Sequence, residues 1–260
     1  SDCLAVVAAT RLEAKREPAM AIDIGTNTEI ALVHEGRLAA TSCASGPAFE
    51  GYQMKCGMKA AEGAVERVSF SADGMPETIG TIGGVTPVGI CGSGVVDILA
   101  GLVALGIVDK SGRMQSGHER VRKASDGLEY FLAEGAHGDI VFTQHDVRAL
   151  QLAKGAIVAG WTLLLEHEGL TADDLRHVYI AGAFGNYLDL ENALAIDLIP
   201  PVPKPRVAFV GNAAGVGAQM ALVDTRERER IAELRRRIAF LELATHSRFH
   251  EVFTRALTFV

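Results

Sequence analysis

The stretch 19–43 constrains this chain more than any other. Three short apolar runs, residues 19–24, 29–34 and 37–43, are separated by two compact turns, Gly25-Thr26-Asn27-Thr28 and Glu35-Gly36. Such short connections, rich in turn formers, leave no length for a crossover, so successive strands must run antiparallel. The stretch therefore predicts a three-stranded meander. A sheet has to bury a face, and the rest of the chain offers helices to cover it.

Helices are expected at residues 2–12, 95–105, 190–195 and 213–223. A longer one is expected from about 143 to 168, with Thr143 as its N-cap. Its stretch 156–165 is apolar on every side, which predicts a central, buried position. Residues 226–237 carry six Arg and three Glu and read as a solvated helix. Residues 65–70 and 77–82 flank Ala72-Asp73-Gly74 like a hairpin. Residues 177–181 and 206–210 are further strands, the second feeding the helix at 213. Residues 49–61 are expected to be helix with loops, and 11–18 and 200–205 to be loops. The stretch 110–138 gives no assignment, and the apolar end, 249–259, is expected to dock. The fold class is α/β, a mixed sheet with an antiparallel three-strand meander covered by helices.

At 260 residues the chain is long for one ordinary domain and short for two. A net charge of −7 leaves no broad basic field, so nucleic acid is not an expected partner. The longest uncharged run, 78–96, is full of glycine and holds Pro87, so no membrane span is expected. Cys3, Cys43, Cys56 and Cys91 lie far apart with no C-x-x-C pair, which excludes zinc-ribbon and iron–sulfur spacings. Reduced thiols and no signal peptide predict a cytoplasmic protein. His246 and His250 could share a helix face, but no third ligand accompanies them. The chain begins Ser1-Asp2-Cys3, so a processed protein or a piece of a longer one is expected.

Several motifs can carry chemistry. In Asp23-Ile24-Gly25-Thr26-Asn27-Thr28, a glycine lets a phosphate approach the backbone, and Thr, Asn and turn N–H groups can donate to its oxygens. Asp23 could hold Mg²⁺ through water. The alternative is a plain hairpin turn. In Ile180-Ala181-Gly182-Ala183-Phe184-Gly185-Asn186 a strand ends in small residues, suiting either a flat ligand or tight packing. The run Gly211-Asn212-Ala213-Ala214-Gly215-Val216-Gly217 lacks dinucleotide spacing and suits a helix packed closely on another element. Cys91-Gly92-Ser93-Gly94 could bind an anion at a helix start, or place a nucleophilic thiol there. Walker A, H-E-x-x-H and G-x-S-x-G patterns are absent.

The order of these motifs resembles the second half of the ATPase fold shared by acetate and sugar kinases, heat-shock chaperones and actin, a ribonuclease H-like subdomain. Ile22-Asp-Ile-Gly-Thr-Asn, Ser45-Gly-Pro-Ala-Phe-Glu-Gly51, Gly89-Ile-Cys-Gly-Ser-Gly94, Gln151-Leu-Ala-Lys154 and Ala181-Gly-Ala-Phe-Gly-Asn-Tyr187 are similar to one family, the reductive activators of corrinoid proteins. Thr28 and Ala183 stand where relatives often have glycine.

The resemblance implies ATP and Mg²⁺ as cofactors. It gives Asp23 the metal-water role, and Gly25, Thr26, Asn27 and Thr28 the phosphate. Gly182, Ala183 and Gly185 would face adenosine, Gly211 and Asn212 would belong to the second connecting helix, and Glu50 is a further acidic candidate near the nucleotide. The implied function is to return inactive Co(II) corrinoid of a methyltransferase system to Co(I). A [2Fe–2S] centre would lie in an N-terminal region outside this chain. The implied partner is a corrinoid protein, and a homodimer is possible.

On this reading residues 1–260 are one C-terminal ATPase-like domain, the second lobe of a larger two-lobed one. Residues 1–18 would link, 19–225 form the core and 226–260 a helical tail. The alternatives are a docking module that keeps the ATPase fold without turnover, and a small-molecule kinase.

Overall fold

A computed structural model describes residues 2–182 and 188–259. Along the chain, helix α1 (Asp2–Thr10) precedes the meander β1 (Ala19–Asp23), β2 (Thr28–His34) and β3 (Arg37–Cys43). There follow β4 (Ala64–Phe70), β5 (Pro76–Thr81), β6 (Gly89–Ile90) and α2 (Gly92–Ala104). Then come β7 (Val121–Ala124), β8 (Gly127–Gly135), β9 (Gly138–Thr143) and the long α3 (Gln144–His167). The chain continues with β10 (His177–Ala181), α4 (Leu190–Ala195), β11 (Val207–Gly211), α5 (Ala213–Val223) and α6 (Thr225–Arg237). It ends with β12 (Ile238–Phe240) and α7 (Phe249–Ala256).

The chain divides into two compact units. One comprises Ser1–Ala44, Ala156–Asn186 and Pro200–Phe253; the other comprises Ser45–Gly155, Tyr187–Ile199 and Thr254–Val260. In the first, a six-stranded sheet runs in the order β11-β10-β1-β2-β3-β12. The meander is antiparallel, as its turns dictate, while β10 pairs parallel to β1 and β11 parallel to β10. Alternate residues of β1 and β2 point to opposite faces. Ala19, Ala21, Ala31 and Val33 meet Val6, Val7, Ala213 and Leu234 of the helices on one side. On the other side Gly160 lets α3 approach closely, since a Cβ there would fall 2.8 Å from the Ile30 side chain. The expected close-packed helix is α5: a Cβ on Gly217 would lie 2.0 Å from the Ala5 carbonyl oxygen of α1.

In the second unit β5-β4-β6 and β7-β8-β9 form two small sheets. Helix α2 lies against β4, and Asp97 ties two elements together: one carboxylate oxygen accepts from Val68 N at 3.1 Å, the other from Asn192 Nδ2 at 2.7 Å. Thr143 caps α3 as expected, and the cap is reciprocal. Its hydroxyl accepts from Asp146 N at 3.0 Å, while Asp146 accepts from Thr143 N at 2.8 Å. By length and composition α3 could cross a membrane, but 78% of its most apolar window is buried inside the protein.

The structure corrects two expectations, at residues 49–61 and 92–94, and assigns the stretch 110–138. Residues 49–61 form no α-helix; only the 3₁₀ turn Ala48–Glu50 is helical. Gly51 and Gln53 adopt left-handed conformations, φ 82° and 66°, which stop helix propagation. Residues 110–138 hold β7 and β8, whose period-2 pattern is broken by a bulge between Phe131 and Ala133. The Gly92-Ser93-Gly94 run is also the first turn of α2 rather than a lead into it.

Candidate nucleotide site

The parallel pairings fix where the site lies. Strands β1, β10 and β11 run in one direction with Asp23 opposite Ala181 and Ala181 opposite Gly211. Their carboxyl ends, residues 23–24, 181–182 and 211–212, therefore sit side by side. In open sheets with parallel strands this edge is where ligands bind.

The three ends are locked by backbone contacts. Ile24 N donates to Ala181 O and Gly182 N to Gly211 O, both at 3.0 Å. Gly182 has φ 114°, and a Cβ there would come within 2.3 Å of the Ile24 carbonyl oxygen. Only glycine fits. Gly211 also turns through the left-handed region, with φ 60°. Asn212 is the N-cap of α5, its Oδ1 accepting from Gly215 N at 2.9 Å. The sequence thus pointed to Gly182, Gly211 and Asn212, and the structure brings them beside Asp23.

The turn at residues 25–27 is open by contrast. Gly25 is half-buried, and Thr26 and Asn27 are exposed at the tip. A Cβ on Gly25 would meet only the Asn27 carbonyl oxygen, at 3.3 Å. Thr28 is fully buried as the first residue of β2, paired with Cys43. Glu50 is exposed on the 3₁₀ turn of the other unit. Ala183 and Gly185 lie outside the described residues.

One residue was missed. Glu29 stands directly opposite Asp23 in the β1–β2 ladder, so both side chains share a face. The signal was available: a turn centred between residues 25 and 27 pairs 23 with 29. Burial, then the nearby Asp2 carboxylate, raises the proton affinity of Asp23. Burial, then Asp23, does the same for Glu29, against a weak hydrogen bond from Ser42 Oγ at 3.4 Å. Burial, followed by the Glu29 charge, pushes the Cys3 and Cys43 thiols up to about 12, so neither is a thiolate at neutral pH.

Among the described residues no three His, Cys, Asp or Glu side chains are grouped to hold a metal. An oxygen-only pair beside an open turn fits Mg²⁺ held through water and a ligand's own phosphates.

The second unit has a cleft of about 470 Å³ lined by Lys55, Glu129, His145 and Asp146 among others. Two of its three carboxylates are committed internally. Glu129 accepts from Lys55 Nζ at 2.6 Å and Arg122 Nε at 2.9 Å, and Asp146 accepts from Lys55 N and Thr143 N. Burial pushes Glu129 up, but the two cations outweigh it and hold its carboxyl below the usual range.

Comparison with known proteins shows the family. Residues 17–260 match the family described as the C-terminal domain of RACo, the ASKHA domain. The corrinoid activation enzyme RamQ of Eubacterium limosum is 39% identical over 245 residues, covering 89% of this chain and 41% of its own length. The [Co(II) methylated amine-specific corrinoid protein] reductase of Methanosarcina barkeri is 27% identical over 281 residues, covering 100% of this chain and 49% of its own. Among solved structures, a reductive activator for corrinoid, iron–sulfur protein superposes with a TM-score of 0.93 at 39% identity, over 99% of this chain and 42% of that one. The chain thus spans less than half the length of these relatives. By fold and by sequence, it belongs to the family of RACo C-terminal ASKHA domains.

Proposed function

We propose that this chain supplies part of the ATP site of an ATP-dependent reductive activator, which returns the Co(II) corrinoid of a partner protein in a methyltransferase system to Co(I). The observation that carries this reading is the alignment of the β1, β10 and β11 carboxyl ends around Gly182, with the open turn 25–27 beside Asp23. Relatives whose names specify corrinoid activation and Co(II) corrinoid reduction support the substrate.

The residues divide the work by chemistry. Turn N–H groups at Gly25, Thr26 and Asn27, with the Thr26 hydroxyl and Asn27 amide, donate to phosphate oxygens. Asp23 accepts from water on Mg²⁺ and orients it; the cation, when bound, offsets phosphate charge. Gly182 keeps the adenosine-side strand end flush with the turn. The gain is positioning and electrostatic preorganisation, because phosphoryl transfer needs little covalent help from the protein. Electrons would come from a centre carried outside these 260 residues.

The test is MgATP-dependent Co(II) corrinoid reduction, followed by corrinoid absorbance, in the full-length protein and its Asp23→Ala variant. Turnover in the variant is expected to fall about 10²–10³-fold. Equal ATP hydrolysis in both proteins would refute the assignment of Asp23.

A further inference from the structure

The β1–β2 pair carries a second carboxylate that the assignment of Asp23 leaves without a role. One row of residues crosses the sheet at its carboxyl edge. Ser42 stands opposite Glu29, Glu29 opposite Asp23, Asp23 opposite Ala181, and Ala181 opposite Gly211. Neighbouring strands lie about 4.8 Å apart, so adjacent members of the row are within reach of one another. The row is divided by chemistry. On β10 and β11 it carries only a methyl group and a hydrogen. On β1 and β2 it carries two carboxylates, one on each side of the turn that joins the strands. The alternation that puts Ala19, Ala21, Ala31 and Val33 on the face covered by α1 and α5 puts Asp23 and Glu29 on that face too, one step beyond the apolar core.

Such a pair costs stability by itself. Like charges directly opposite each other in a ladder repel. Both residues are half-buried, and repulsion is stronger there than in open water. Among the described residues no Lys, Arg or His pairs with either one. The Asp23 carboxylate accepts no hydrogen bond from them, and Glu29 accepts one weak bond, from Ser42 Oγ to Oε1 at 3.4 Å. Oε2 of Glu29 and both oxygens of Asp23 remain available as acceptors.

We propose that Glu29 is a positioning residue for the cation: Asp23 and Glu29 together accept from waters of Mg²⁺, one from β1 and the other from β2, while the turn between them takes the phosphates. The inference rests on the nucleotide reading and deepens it. Mg²⁺ gives up its waters reluctantly, so carboxylates that never touch the ion can still fix it, each through a different water. One carboxylate leaves the hydrated ion free to swing about a single anchor, and two on adjacent strands do not. Two negative charges also match the charge of the cation and offset the repulsion within the pair. Glu29 lies in the ladder rather than on the exposed tip, so strand pairing sets its position.

The experiment compares the wild-type full-length protein with Glu29→Gln and Asp23→Asn. Gln keeps the shape of Glu and removes its charge. Two affinities are read. Calorimetry in EDTA gives that for metal-free ATP. The free-ion electron paramagnetic resonance signal of Mn²⁺, used as the probe in place of Mg²⁺, gives that of the protein–ATP complex for the cation. Glu29→Gln is expected to weaken cation binding about tenfold, with ATP affinity in EDTA at least as high as in the wild type. Unchanged cation affinity would overturn the role of Glu29; if Asp23→Asn lowered it all the same, the nucleotide reading would stand without Glu29. Equal loss of both affinities would show that Glu29 only supports the strand pair, and would overturn the inference as well. Absence of ATP binding to the wild type, with and without Mn²⁺, would overturn the nucleotide reading itself and this inference with it.

Discussion

Two glycine-rich corners of this protein look alike in sequence and differ in kind. Each follows a strand: Ile24-Gly25-Thr26-Asn27 after β1, and Cys91-Gly92-Ser93-Gly94 after β6. All four residues of the second are buried. A Cβ on Gly94 would lie 2.3 Å from the Val65 carbonyl oxygen, and Cys91 Sγ donates to that same oxygen at 3.3 Å. Here glycine is a packing requirement, and the thiol is occupied by backbone. At Gly25 a Cβ would meet one backbone oxygen at 3.3 Å, a tight contact but not a collision, and the neighbouring tip faces solvent. On the proposed reading, glycine there leaves room for a phosphate to approach the backbone. Gly182 belongs with the second kind although it lies beside the first: it is closed off by the Ile24 carbonyl.

This contrast can be broken by substitution. The largest stability effect is expected from Gly182→Ala, which combines a disallowed φ with a backbone collision. A loss of about 4 kcal/mol is expected in denaturant unfolding. Gly94→Ala, with ordinary φ but an equally close oxygen, should cost somewhat less, about 3 kcal/mol. A loss below about 1 kcal/mol in either would show that the corner yields.

Gly25→Ala should change unfolding by no more than about 1 kcal/mol. It should nonetheless weaken MgATP binding to the full-length protein about tenfold in calorimetry, since the methyl group stands where phosphate would approach. Unaltered affinity would class Gly25 with Gly94.

The two carboxylates give a smaller, pH-dependent effect. Asp23 and Glu29 both have proton affinities raised by burial, so the folded state binds protons more tightly than the unfolded one. Their contribution to stability is fully present below about pH 4 and is lost as pH rises through their folded pKa values. Asp23→Asn should therefore stabilise the nucleotide-free protein at neutral pH while abolishing turnover, and should flatten that part of the pH–stability curve. A destabilised variant at pH 7 would contradict the sign. Such opposition between fold and function is expected of a site that holds charge for a ligand.

How far the sequence could be read follows from the range of the forces involved. The meander was legible because its turns and alternation are local: β3 appears at residues 37–43 as expected, and β1 and β2 differ by a residue. The N-cap at Thr143 was likewise legible, because the cap is closed within three residues. The hairpin β7–β8 was not. Its strands are partly exposed, its alternation is interrupted by a bulge, and its stabilising pairs join Glu129 to Lys55, distant in sequence. The pairing of Glu29 with Asp23 lay one step beyond the motif, since a ladder register has to be drawn before cross-strand neighbours appear.

By itself, then, the sequence determined the local elements, the small residues at the strand ends and the resemblance that links them. Those depend on backbone preference and periodicity over a few residues. Only the tertiary structure decided which glycines are closed and which is open, because that depends on which backbone from elsewhere in the chain arrives within van der Waals distance. It also decided that β10 and β11 lie parallel to β1, bringing residues more than 150 positions apart to one edge. And it set the Gln151-Leu-Ala-Lys154 motif against residues 257–259, a contact about 100 positions away that no periodicity records.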